Sequence, residues 1–396
     1  MNSNISREHW EYRQSEEEDE KYLFPPRYST KKWEKMLDGK FSIEMVDKVA
    51  EKDVKVILHK VPYQKAKKYA EIVRELELSV KLYHKNIIVI LNIFTPQLAA
   101  EDFCYFCVVY EHMDYTLDYL RSHRDWLKNQ SGSTGAERLS FITYQMLCGI
   151  DYLHKAGIAH RDLRPNSILI NKKCRIKLAH LGNARHFSEI AELPDAPEAA
   201  RYWAPEIFNE IKKQTVEEFQ KKGNLDNFKP KIAPNLASDI YAIGVILYEI
   251  LGNIDLFPEL QVLTENAVEL ITKRFKELPK TVGEEQFPEH KHPKLKQHKG
   301  HLMFQNMTII DSKERHTARK LLGMDYVHWV RLEGDVTLPP GHCITVGIDK
   351  IDFSAEEWKE NLFRMIKDYE RTHDTDSWIP NLPDNSSVPV SSTEKK

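Results

Sequence analysis

Short apolar runs of strand length and β-branched content fall before residue 115 of the 396-residue chain, and long apolar patterns with helical spacing fall after it. The runs "DVKVIL" from Asp53, "NIIVILNIF" from Asn86 and "FCVVYEH" from Phe106 have the length and composition of strands. Further on, "RLSFITYQMLCGIDYLHKAG" sets Leu139, Ile142, Met146, Ile150 and Leu153 three and four residues apart, and Gly157 is placed to end that helix. "SDIYAIGVILYEILG" is apolar almost all round, as a fully buried helix must be. Strands first and helices after predict an α+β protein of two lobes, a small β-rich one and a larger helical one. The expected division is 1–30 as a disordered acidic segment, 31–110 as the small lobe, 111–372 as the large lobe ending in a helix, and 373–396 as a disordered tail. Polar stretches at about 209–235 and 280–300 read as surface insertions.

A hydrophobic content of 41% is enough for a sizeable core, and 57 basic against 60 acidic residues leave a net charge of −3. That balance supplies no field for nucleic acid or an anionic membrane surface. The polar start "MNSNISREHWEY" has no signal-peptide character, and "IIVIL" from Ile87 is far too short for a bilayer span. The chain therefore reads as cytoplasmic or nuclear. Five irregularly spaced cysteines suit a reducing compartment, and Cys104 and Cys107, although spaced CxxC, read as strand positions. The histidines of "PEHKHPKLKQHKGH" lack ligand spacing and are interleaved with lysines, so that stretch reads as a solvated loop; no metal site is expected in the chain.

Four motifs occur in order: "HRDLRPNSILIN" at His160, "HLGNAR" at His180, "APE" at Ala204 and "SDIYAIG" at Ser238. Together they resemble a eukaryotic protein kinase, and "RELELSVKLYHKNIIVILNIFTPQ", "YQMLCGIDYLH" and "SAEEWKENLFRMIKDYE" are similar to mitogen-activated protein kinases of the c-Jun N-terminal kinase type. The resemblance spans about 30–372. It implies a bilobal kinase fold, a hinge from Glu111 through Met113 to Asp114, and Tyr110 as gatekeeper.

Residue by residue, the resemblance implies a catalytic base at Asp162, flanked by His160 and Arg161, with Arg164 where the family has lysine. The metal-binding asparagine position is Ser167, next to Asn166, and the metal-binding aspartate position is His180. Magnesium takes hard oxygen donors, so an imidazole is a poor replacement. Counted from the helical glutamate Glu75, the ATP-anchoring lysine position is Ile57 without a gap or His59 with one, while a looser shift reaches Lys55 or Lys60. The expected glycine-rich loop has only Gly39.

The phosphorylation motif of the activation segment reads Ala196-Pro197-Glu198, where Glu198 offers one fixed charge to Arg161 or Arg185. Glu206 and Arg315 match a buried ion pair of the family. A docking surface is implied at Arg331, Glu333 and Asp335, for protein partners that present basic-hydrophobic peptides. Two functions follow. The first is a pseudokinase, an interaction or scaffolding module in stress-type signalling with impaired Mg-ATP binding and no required cofactor. The second is a divergent, weakly active Ser/Thr protein kinase that uses ATP with Mg.

Overall fold

The computed structural model describes residues 11–14, 21–25, 28–32, 42–47, 54–63, 69–123, 135–194, 197–226, 228–252, 255–260, 262, 264–277, 300–328 and 347–373. The chain forms two compact units, Met1–Val80 with Ile88–Met113 and Ile348–Pro383, and Lys81–Ile87 with Asp114–Gly347 and Asp384–Lys396.

In the first unit, β1 (Glu11–Gln14) and β2 (Lys21–Phe24) pair antiparallel. The stretch 1–30, expected to stay disordered, therefore contains a hairpin, and Tyr28 beyond it is buried. Charged runs hide this pairing, because each strand is only four residues long. An antiparallel sheet follows, of β3 (Tyr28–Lys32), β4 (Ser42–Asp47), β5 (Val54–Pro62), β6 (Ile90–Phe94) and β7 (Tyr105–Glu111), in the order β3-β4-β5-β7-β6. Strand alternation sends Val56 and Leu58 to one face, with Tyr28, Val89, Leu91, Phe94, Cys107 and Val109. The other face, with Val108, Phe106 and Ile93, packs on Leu76 of α1 (Tyr69–Lys81).

The C-terminal helix Ala355–Thr372 joins this same cluster through Leu362, Ile366 and Tyr369, so it belongs with the small unit and not with the large lobe as expected. Its start is set by a capping box: Ser354 Oγ accepts from Glu357 N at 3.2 Å, and Glu357 Oε2 accepts from Ser354 N at 2.7 Å. Tyr69 stacks on Trp358, and Lys359 Nζ donates to the Glu101 carbonyl at 2.8 Å.

In the second unit, β8 (Tyr115–Thr116) and α2 (Leu117–Ser122) precede α3 (Gly135–Lys155), whose Leu139, Ile142, Met146, Ile150 and Leu153 are all buried. Gly157 has φ +74°, and a Cβ there would lie 2.7 Å from the His186 ring. Glycine is therefore required both by conformation and by space. After β9 (Ile158–Ala159) come β10 (Ile168–Ile170) and β11 (Ile176–Leu178), which form a hairpin. Then β12 (Arg185–His186) pairs with β9, and β13 (Ala191–Glu192) follows. The stretch read as an insertion from 209 is largely helical: α4 (Pro205–Lys222) buries Phe208 and Ile211, and β14 (Lys231–Ile232) pairs with β13. The buried helix α5 (Leu236–Gly252) completes the frame on which the site is built. Among the described residues, no helix is long and apolar enough to cross a membrane.

Candidate active site

The site in the second unit is organised around Asp239, buried in the first turn of α5. Its Oδ2 accepts from His160 N at 2.8 Å, its Oδ1 accepts from Arg161 N at 3.0 Å, and His154 Nε2 lies 3.0 Å from Oδ2. Burial alone would raise this carboxyl, but the His154 hydrogen bond, the two histidines and the Arg161 amide outweigh it and hold it below the usual range. The anchorage explains how Arg161 keeps φ at +67°, a left-handed conformation that costs a non-glycine residue roughly 1–2 kcal/mol. Two charge-assisted hydrogen bonds, worth about 1.5–3 kcal/mol each, offset that strain.

His160 is fully buried, and burial lowers its basicity, so the ring is neutral. Its Nε2 sits 3.0 Å from the Ala179 carbonyl, while Nδ1 accepts from Asp162 N at 3.4 Å, an arrangement that selects the Nε2–H tautomer. Asp162 is 5% exposed, and of its two carboxylate oxygens only Oδ2 makes a hydrogen bond among the described residues. Oδ1 lies 3.2 Å from Arg164 Nε, and Oδ2 accepts from Asn183 Nδ2 at 3.3 Å. Burial raises the Asp162 carboxyl against the opposing influence of Arg164, His160 and Asn183. Arg164 continues outward to pair with Glu198 through Nη1. The fixed charge at Glu198 is thus held by Arg164, not by Arg161 or Arg185 as expected. Arg161 Nη2 donates to the carbonyls of Ala191 and Glu192, and Arg185 Nη1 to those of Gly182 and Ala184. The Glu198 carboxyl is held below its ordinary range by its own backbone N–H and then by Arg164, against partial burial.

Ser167, at the asparagine position, is 1% exposed, and its Oγ lies 2.8 Å from the Asp162 carbonyl and 2.8 Å from the Arg164 carbonyl. It also accepts from Arg164 N at 2.9 Å. The hydroxyl therefore braces the catalytic loop, while the neighbouring Asn166 faces solvent. His180 is half-buried at φ 63° and caps the 3-10 turn Leu181–Asn183. A magnesium ion fits this donor set poorly: one hydroxyl is already tied to the backbone, and an imidazole replaces a carboxylate.

In the first unit, the register sets Ile57 opposite Tyr110 and His59 opposite Val108, on the face that packs against α1. Burial, and then the nearby Glu75 carboxylate, raise the Tyr110 hydroxyl far above its normal range. Lys60 points to the other face, with Nζ 4.6 Å from the Tyr105 ring centroid. Lys55 shares the face of Ile57 and His59 by alternation but is exposed near the strand's start. At the hinge, Glu111 turns inward and Oε1 accepts from Val89 N at 3.1 Å, and Met113 is buried.

The Glu206–Arg315 pair is bidentate, at 2.7 and 2.9 Å, with the arginine side chain 0% exposed; Ser238 Oγ adds a bond to Glu206 at 3.1 Å. Ala196, Gly39 and the docking residues Arg331, Glu333 and Asp335 lie outside the described residues. Sequence reading missed Asn183, whose amide stands in an otherwise apolar turn, as well as Asp239 and the Arg164–Glu198 contact. The only signals were a polar side chain inside "HLGNAR" and the acidic residue within "SDIYAIG".

The description "Protein kinase domain" matches residues 34–327. The chain is also 29% identical over 341 residues to the stress-activated protein kinase jnk-1 of Caenorhabditis elegans, a match that takes in 79% of this chain. It spans 66% of that relative's length.

Proposed function

The chain belongs to the protein kinase family, and we propose that it is a MAP-kinase-like pseudokinase: a kinase fold kept as a protein-interaction or scaffolding module, without efficient Mg-ATP phosphoryl transfer. The observation that carries this reading is the metal-binding donor set: the Ser167 hydroxyl, at the asparagine position, lies 2.8 Å from both the Asp162 and Arg164 carbonyls and accepts from Arg164 N at 2.9 Å, and His180 stands at the aspartate position. The Ile57 or His59 position supplies no ammonium for the phosphates. Loss of one such group costs on the order of 10²–10³ in rate, and a set that acts as a unit is not repaired piecemeal.

The frame itself is well tied, through the Asp239 hydrogen bonds and the Glu206–Arg315 pair. Such a frame suits a binding role in the cytoplasm or nucleus, with the basic-hydrophobic docking peptides of MAP-kinase regulators and substrates as the partner class. The second reading, a weakly active Ser/Thr kinase using ATP with Mg, is favoured by the retained Asp162 and its buried His160 support. Radiolabelled phosphate transfer from ATP to a Ser/Thr-Pro peptide tests the proposal, with Asp162→Ala as control. The pseudokinase reading expects equal counts from both proteins; turnover at least tenfold above the control establishes the weakly active kinase instead.

A further inference from the structure

We infer that the segment after α4 is a built-in clamp that keeps residues 186–194 of the activation segment in one ordered conformation without any phosphate. The clamp has two sides. On one, β14 pairs with β13, setting Ile232 against Ala191 and Lys231 against Glu192. On the other, the Arg161 guanidinium donates to the carbonyls of Ala191 at 3.0 Å and Glu192 at 2.9 Å. The activation segment is thus gripped along its backbone at the two residues where it crosses the catalytic loop.

Two-residue strands have little stability of their own, so β14 needs an anchor. Gln214 of α4 supplies it. Its Nε2 donates to the Lys231 carbonyl at 2.8 Å and its Oε1 accepts from Lys231 N at 3.0 Å, so a single side-chain amide closes both free backbone groups of that residue. Ile232 is 7% exposed and seats the strand, and Lys229 Nζ lies 3.7 Å from Glu192 Oε2. A rigid helix therefore holds β14, β14 holds β13, and Arg161 holds β13 from behind.

The usual ordering of such a segment comes from new arginine–phosphate pairs. Here Nη2 of the arginine next to the catalytic aspartate already donates to two carbonyls of the segment, and Glu198 already pairs with Arg164. Both jobs that a phosphate would do are done by the chain itself. The inference concerns order and not catalysis, so it stands apart from the pseudokinase reading.

Hydrogen exchange of the full chain, read by mass spectrometry on peptides covering 186–194, tests it. In the wild type these amides are protected, and phosphatase treatment leaves their exchange unchanged. Gln214→Ala removes both side-chain bonds and accelerates exchange in 186–194 about tenfold, while the amides of α5 stay as they were. Wild-type exchange at the rate of an unstructured chain overturns the inference. So does acceleration by phosphatase, absence of any change in Gln214→Ala, or equal acceleration in α5, which would mark a general loss of stability.

Discussion

Replacing Asp239 with asparagine changes one oxygen for an NH₂ group of nearly the same size, so packing is kept and only the hydrogen-bond register fails. The carboxylate accepts from His160 N at 2.8 Å, from Arg161 N at 3.0 Å and from His154 at 3.0 Å. Whichever way the amide turns, its two hydrogens face a backbone N–H. If the nitrogen takes the Oδ1 site, Arg161 N loses its acceptor; if it takes the Oδ2 site, His160 N does. A buried donor left without a partner costs about 1–3 kcal/mol. Losing the anchor of the left-handed Arg161 adds roughly 1 kcal/mol, because the strain at φ +67° is no longer held. The expected loss is about 2–4 kcal/mol, or a melting temperature lower by roughly 2–5 °C for a chain of this size. Urea titration followed by circular dichroism, paired with a thermal melt at pH 7.5, measures it. A change below about 0.5 kcal/mol refutes the reasoning, since it would mean that the Asp239 hydrogen bonds do not hold the catalytic loop.

Breaking the other buried anchor, with Arg315→Met, leaves Glu206 without its guanidinium and is expected to cost about 3–5 kcal/mol by urea titration; a loss under 1 kcal/mol contradicts the role given to the pair. Stability is also expected to fall on acidification. The folded His160 is less basic than in the unfolded chain, so the unfolded state takes up a proton first and stability drops as pH falls below about 6.5. The folded Asp239 carboxyl is likewise lowered, so a second loss follows as pH falls below about 4. A midpoint that is flat or rising from pH 7.5 to 5 runs against this sign. His180→Asp alone is expected to leave phosphate transfer at the Asp162→Ala level, since Ser167 and the Ile57 or His59 position remain unrepaired; clear turnover in that single variant shows that the damage to the site has been overstated.

The two-part fold was legible because its strands and long helices bury whole faces, and a buried face imposes a period. The five apolar positions of α3 and the alternating Val56 and Leu58 of β5 are of this kind. Pairings without a period stayed hidden. The strands β13 and β14 have two residues each, and β1 and β2 lie among charges. The C-terminal helix announces its own amphipathicity but not its partner, since Tyr369 meets a sheet face nearly three hundred positions earlier in the chain. In the site, residue types told that a serine stands at position 167 and a histidine at position 180. They did not tell where the surviving charges went. The turn of Arg164 toward Asp162 and Glu198 depends on how the activation segment is folded back, and local sequence does not encode that. The face of a strand, by contrast, is pure alternation, which puts Lys60 on the side opposite Ile57 and His59.

The proposed lack of a defined Mg-ATP site is tested most directly by a thermal-shift titration of the full chain. Stabilisation by a ligand follows RT ln(1 + [L]/Kd), so a Kd well above 1 mM leaves the melting temperature within about 0.5 °C at 1 mM ATP, with Mg²⁺, with Mn²⁺ or with neither. That flat response is the predicted result. A metal-dependent rise of several degrees at 1 mM ATP would show a formed nucleotide site and contradict the account.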